Sequence, residues 1–172
     1  LLANAYYEAS VSASEVALSL DPDLQHLRYR QAVARWRLEQ ADGALADLQV
    51  VLDAQANYGP GWLRLARWRL ERGELEEARI AVDRAIERNP RHAGAVVTRA
   101  QVLLQLGDAQ GALDVIEPHL AGEQVPPWMH HVAAQVYRRL GRAAAMEESL
   151  ALAGPLPERW PAPWVDEVAL LA

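Results

Sequence analysis

Residues 59–90 read GPGWLRLARWRLERGELEEARIAVDRAIERNP. Apolar side chains recur every three or four positions from about Trp62 to Glu71 and again from about Leu75 to Arg88, the spacing that places them along one side of a helix. Gly73 interrupts the pattern, and Asn89-Pro90 stops it, because the residue before a proline is pushed out of the helical region. Two amphipathic helices joined by a short turn form a hairpin. One hairpin cannot bury its own apolar stripe, so the stretch predicts neighbours of the same kind.

Shifting the stretch by 34 residues in either direction finds them. Ala32, Ala66, Ala100 and Ala134 are spaced by 34, as are Gly73, Gly107 and Gly141 in the turns. Ala44, Ala78 and Ala112 open the second helices at the same period, with Met146 continuing the series, and Leu48, Val82, Ile116 and Leu150 fill a larger apolar slot four residues later. Small residues let helices approach closely, and the larger ones fill the wedge between them. Within residues 59–90, Trp62, Leu65-Ala66, Ala78, Val82, Ala85 and Pro90 resemble the tetratricopeptide pattern W-x2-L-G-x2-Y…A-x3-F…P, with Arg69 standing in the tyrosine slot. The resemblance implies an all-α fold, a right-handed superhelical array of antiparallel helix hairpins.

Composition agrees. Apolar residues make up 51% of the 172, dominated by Ala and Leu, which favours helix over strand. With no cysteine, disulfides, thiolate metal sites and a cysteine nucleophile are excluded. All 17 basic residues are arginine, and lysine and phenylalanine are absent, a bias read as that of a GC-rich bacterial genome. No run approaches the roughly 18 consecutive apolar residues that span a bilayer, so no direct membrane insertion is expected of this segment. The chain begins at Leu1, inside a repeat, which leaves the compartment, periplasmic or cytoplasmic, open.

In chain order, residues 1–22 read as a partial repeat, mostly one helix from about Asn4 to Leu20 ended by Asp21-Pro22. Residues 23–58 form repeat 1, with Asp23 as the expected helix cap and Ala41-Asp42-Gly43 as the expected turn. In this unit Glu39 stands in the turn-glycine slot, and RWRLE at 35–39 recurs at 67–71, a spacing of 32 that breaks the register. Residues 59–92 are repeat 2 and 93–126 repeat 3, where Pro118 is expected to kink or end the second helix. Repeat 4 spans 127–153, a proline-rich linker 154–163, and a capping helix or truncated fifth unit 164–172.

Motifs for chemistry are sparse. His130 and His131 are adjacent, so on a helix they diverge by about 100° and cannot share an ion as an i, i+4 pair would; the five histidines read as ordinary surface or groove residues. No glycine-rich phosphate loop, HExxH or GxSxG is present. Neither an enzyme nor a cofactor or metal site is expected here. The charge of −6 disfavours nucleic acid, which needs a net excess of cations along the contact.

Charge is nevertheless uneven: the first helices of repeats 1 and 2 are rich in arginine, and the turns and second helices in acid. In the tetratricopeptide family the first helices line the concave face. Carrying that face over gives Tyr29, Val33, Trp36 and Arg37, then Leu63, Arg67 and Leu70, then Val97, Gln101 and Leu104, then His131 and Arg138 as the expected partner-binding residues. The lysines and asparagines with which some family members clamp a C-terminal carboxylate have no counterpart: Tyr29 and Val33 stand at the first such pair. The resemblance implies a scaffold that binds a protein or peptide segment, one with an acidic stretch if the arginines are not already paired, within a bacterial multiprotein assembly. The alternative is a regulatory or substrate-recruiting region of a larger enzyme whose catalytic domain lies outside this chain.

Overall fold

The computed structural model describes residues 2–122 and 125–155, and over these the chain is helical. In order come α1 (Leu2–Leu20), α2 (Gln25–Arg37), α3 (Ala41–Ala54), α4 (Gly59–Glu71), α5 (Leu75–Arg88), α6 (Ala93–Gln105), α7 (Ala109–Leu120), α8 (Pro127–Arg139) and α9 (Ala143–Ala153). Helices α2 and α3, α4 and α5, α6 and α7, and α8 and α9 pack as antiparallel hairpins, stacked in a right-handed array with α1 against α2. The linker expected at 154–163, beyond its first two residues, and the helix expected at 164–172 lie outside the described residues.

The four hairpin turns share one backbone solution. A residue at positive φ ends each first helix: Glu39 at 61°, Gly73 at 75°, Gly107 at 87° and Gly141 at 70°. The next amide in each case reaches back five residues: Gln40 to the Arg35 carbonyl, Glu74 to Arg69, Asp108 to Leu103 and Arg142 to Tyr137, all at 2.9 Å. That is the Schellman pattern, which satisfies the helix-end carbonyls and needs the left-handed region that glycine enters without strain. The turn of repeat 1 therefore lies at Leu38–Gln40, and Ala41, Asp42 and Gly43, expected as the turn, are the first residues of α3. The 34-residue register governs even where its glycine is missing.

Two further expectations are corrected. Asp23 does not cap α2; the cap position is Leu24, with no side-chain hydrogen bond, and the Asp23 amide itself donates to Asp21 Oδ1 at 3.0 Å. Pro118 does not end its helix, and α7 continues to Leu120. The proline sits in the last turn, so it removes one bond and little helix remains beyond it to be displaced.

The alanine series does what small residues at a close approach should do. Ala32, Ala66, Ala100, Ala44, Ala78 and Ala112 are all fully buried, and so are Leu48, Val82 and Ile116. Leu150, the fourth member of that last series, is 46% exposed. Its slot is covered in earlier units by the next hairpin, and none follows α9 among the described residues. The core runs as two clusters that meet inside α6, where Ala95 belongs to one and Val96 to the other.

Candidate functional site

Neighbouring first helices line shared hollows, and four repeat slots decide what that side of the array presents. Tyr29, Leu63, Val97 and His131 occupy the first slot, 34 residues apart, and all four are buried. For Tyr29, Leu63 and Val97 the expected inner-face role is corrected, since they belong to the core clusters; His131, though buried, lines a hollow at the C-terminal end. The surface comes instead from slots four, seven and eight residues further on, which share one side of a helix. Val33, Arg67, Gln101 and Gln135 hold the first of these; Trp36, Leu70, Leu104 and Arg138 the second; Arg37, Glu71, Gln105 and Arg139 the third.

These residues line a row of hollows. The first, of ≈ 220 Å³, lies between α2 and α4 and is walled by Val33, Trp36, Arg37, Arg64, Arg67, Trp68 and Glu71. The second, of ≈ 340 Å³, lies between α4, α6 and α8, shares Arg67 and Glu71 with the first, and adds Leu70, Gln101, Leu104, Gln105, Gln135, Arg138 and Arg139. A third, of ≈ 350 Å³, lies between α8 and α9 at the C-terminal end and includes His131, Gln135, Arg138, Met146 and Leu150. Of the twelve residues expected at the partner surface, Tyr29, Leu63 and Val97 line none of the three.

A continuous ladder of rings supports the first hollow. Trp36 stacks flat on Trp68, with ring centroids 4.6 Å apart and planes 9° from parallel. The Arg64 guanidinium lies 5.8 Å from the Trp68 ring centre and 5.3 Å from that of Tyr29. Its Nε donates to the Tyr29 hydroxyl at 2.6 Å, and Tyr29 in turn meets Tyr58 edge-on at 5.6 Å. Trp68 is buried while Trp36 is half-buried, so the core ring is a platform and Trp36 its accessible face. Neither Trp68 nor Arg64 was expected at the site. The signal lay in RWRLE at 35–39 and 67–71, whose spacing of 32 runs against the 34-residue register and brings the two indoles together.

Four of the arginines that make the first helices look basic, Arg28, Arg35, Arg69 and Arg72, form ion pairs within the chain. Arg35 meets Asp47 at 2.6 Å and Glu15 at 2.9 Å, linking α2 to α3 and α1. Arg28 approaches the same Asp47 at 3.8 Å. Arg69 meets Glu74 at 2.9 Å, and Arg72 meets Glu74 and Asp42, each at 2.6 Å. Asp47 is buried, and that burial holds its carboxyl above the ordinary carboxylate range even though Arg35 and Arg28 pull it down. Burial likewise lowers the Arg67 guanidinium from its ordinary value, against the charge of Glu71.

The adjacent histidines of α8 are both buried; for His130 this corrects the expected surface or groove placement, while His131 lines the third hollow. Burial, with the neighbouring His131 adding to it, pulls the His130 imidazole below its ordinary value, so it is neutral at pH 7. No group of three or more potential metal ligands converges among the described residues. No described helix is long and apolar enough to cross a membrane.

No family model matches this sequence, and no curated protein does. Solved structures do. The crystal structure of MamA superposes with a TM-score of 0.77 at 16% identity, covering 86% of each chain. TTC0263, a thermophilic tetratricopeptide protein of Thermus thermophilus, superposes with a TM-score of 0.65 at 25% identity over 95% of this chain and 88% of its own. A tetratricopeptide repeat protein from Parabacteroides merdae gives 0.77 at 16% identity over 86% of this chain and 59% of its own.

Proposed function

From the premise that this chain has the tetratricopeptide-repeat fold, we propose that it is a protein-interaction scaffold whose inner face holds an extended or helical segment of a partner protein. The observation that carries this reading is the Trp36 indole, half-buried on the Trp68 platform and lining a hollow rimmed by Arg37 and Arg67. An immobilised aromatic loses little conformational entropy on contact, and aromatic and arginine residues dominate the energetics of interfaces. The arginine rim steers an acidic stretch of the partner, so association slows with added salt while the apolar contribution persists. This fits a component of a bacterial multiprotein assembly in which the array contributes contact surface.

Capture from a lysate of the source organism tests the reading, comparing the unaltered chain with a Trp36→Ala, Arg67→Glu variant shown to be folded by circular dichroism. Proteins that the unaltered chain retains should be lost from the variant. Equal recovery by both would move the contact to the outer, acidic face.

A further inference from the structure

The inner face is divided by the fate of its charges. Helices α2 and α4 spend Arg28, Arg35 and Arg69 on acids of the chain itself, and Arg64 on Tyr29 and Trp68. Arg138 and Arg139, in the last turn of α8, are exposed and make no hydrogen bond or ion pair among the described residues. Both line the second hollow with Arg67, against the single carboxylate of Glu71. Three guanidinium groups facing one carboxylate make this hollow net positive on a chain whose overall charge is −6.

We propose that the hollow between α4, α6 and α8 is a carboxylate subsite, which takes acidic side chains of a partner segment whose apolar residue sits against Trp36. The proposal rests on the reading of the inner face given above and assigns its two halves different chemistries. Planar guanidinium groups match a carboxylate with two parallel hydrogen bonds, and Arg138 and Arg139 have that capacity uncommitted. The amides of Gln101, Gln105 and Gln135 around them can donate to and accept from the main chain of an extended segment, over an apolar floor of Leu70 and Leu104. The first hollow offers the reverse: two stacked indoles, with Arg64 already bonded. Because the hollows share Arg67 and Glu71, one continuous segment can fill both.

The probes are fluorescein-labelled synthetic peptides carrying a Trp-Leu pair joined by a short Gly-Ser spacer to an Asp-Glu run, made in both chain orders. Each has a counterpart in which Asn and Gln replace the acids. Binding to the full chain is followed by fluorescence anisotropy. The acidic peptide in one order should bind about tenfold more tightly than its amide counterpart, the value of roughly one charge-assisted hydrogen bond. In an Arg138→Gln, Arg139→Gln variant this ratio should fall to about one, whereas Arg30→Gln with Arg91→Gln, which removes the same charge away from the hollow, should leave it standing. Trp36→Ala should weaken both peptides equally and preserve the ratio. The ratio thus reports the carboxylate subsite and the absolute affinity reports the groove, so one can fail without the other. A preference that survives loss of Arg138 and Arg139, a preference seen only at concentrations where the chain self-associates, or no binding of either peptide would each overturn the proposal.

Discussion

Trp36 and Trp68 stack with their planes 9° apart, although they occupy different slots of the repeat. Counting by 34, the equivalent of Trp36 is Leu70, and the equivalent of Trp68 is Ala34 on one side and Val102 on the other. Among the described residues the 34-residue period therefore does not repeat this pair, which joins α2 to α4. Trp68→Ala should cost about 3 to 5 kcal/mol, because the ring is buried and leaves a cavity. Trp36→Ala should cost less and leave the fold intact. A double-mutant cycle read by urea denaturation should give a coupling of about 0.5 to 1.5 kcal/mol, the range for an aromatic pair. Strict additivity would mean that the rings do not stack in solution.

Glu39 carries a positive φ of 61° in a slot where the other repeats have glycine. A side chain in the left-handed region costs about 1 to 2 kcal/mol, partly offset in glycine by its freer unfolded chain. Glu39→Gly should therefore raise stability by about 1 kcal/mol in thermal or urea unfolding. Gly107→Ala is the reciprocal test. An added Cβ there meets nothing within 4 Å, so any loss is purely conformational. A destabilised Glu39→Gly would show that the Glu39 side chain has a role that outweighs its backbone strain.

Ala66 and Ala100 are fully buried. Leucine at either position should overpack the interface and cost about 1 to 3 kcal/mol. An unchanged melting temperature for Ala100→Leu would mean that the helices there can separate freely, against the tight packing described.

His130 provides a pH dependence whose sign follows from its environment. Burial lowers the folded-state pKa below the ordinary 6.5, so the unfolded chain takes up the proton first as pH falls. The stability held by the neutral imidazole is complete above about pH 6.5 and is lost as pH drops through that value toward the folded-state pKa. Urea midpoints measured at about pH 7.5 and 5.5 should fall on acidification, and His130→Gln should remove part of the fall. An identical slope in the variant would assign the acid sensitivity elsewhere.

The repeat could be read from the chain because its causes are local or strictly periodic. Gly73, Gly107 and Gly141 mark turns that require a positive φ, and the alanine series marks helix approaches that recur once per hairpin. Even the turn at Glu39 follows that register, whereas Ala41, Asp42 and Gly43, expected as the turn, open α3. Trp36 as the accessible aromatic, with Val33, Arg37 and Arg67 around it, was likewise legible from the period and the family resemblance together.

Sequence by itself carried the helical hairpins and the 34-residue spacing of the small residues and turn glycines within them. Tertiary structure alone decided which inward positions are surface and which are core. Tyr29, Leu63 and Val97 lie on the same helical stripe as Val33, Arg67 and Gln101, yet only neighbouring helices determine that the former are enclosed. It also decided which arginines remain uncommitted, since Asp47 reaches Arg35 across a hairpin and Asp42 reaches Arg72 across a repeat boundary. Burial and charge pairing depend on what lies across a contact in space, and the periodicity of one helix carries no record of its partner's side chains.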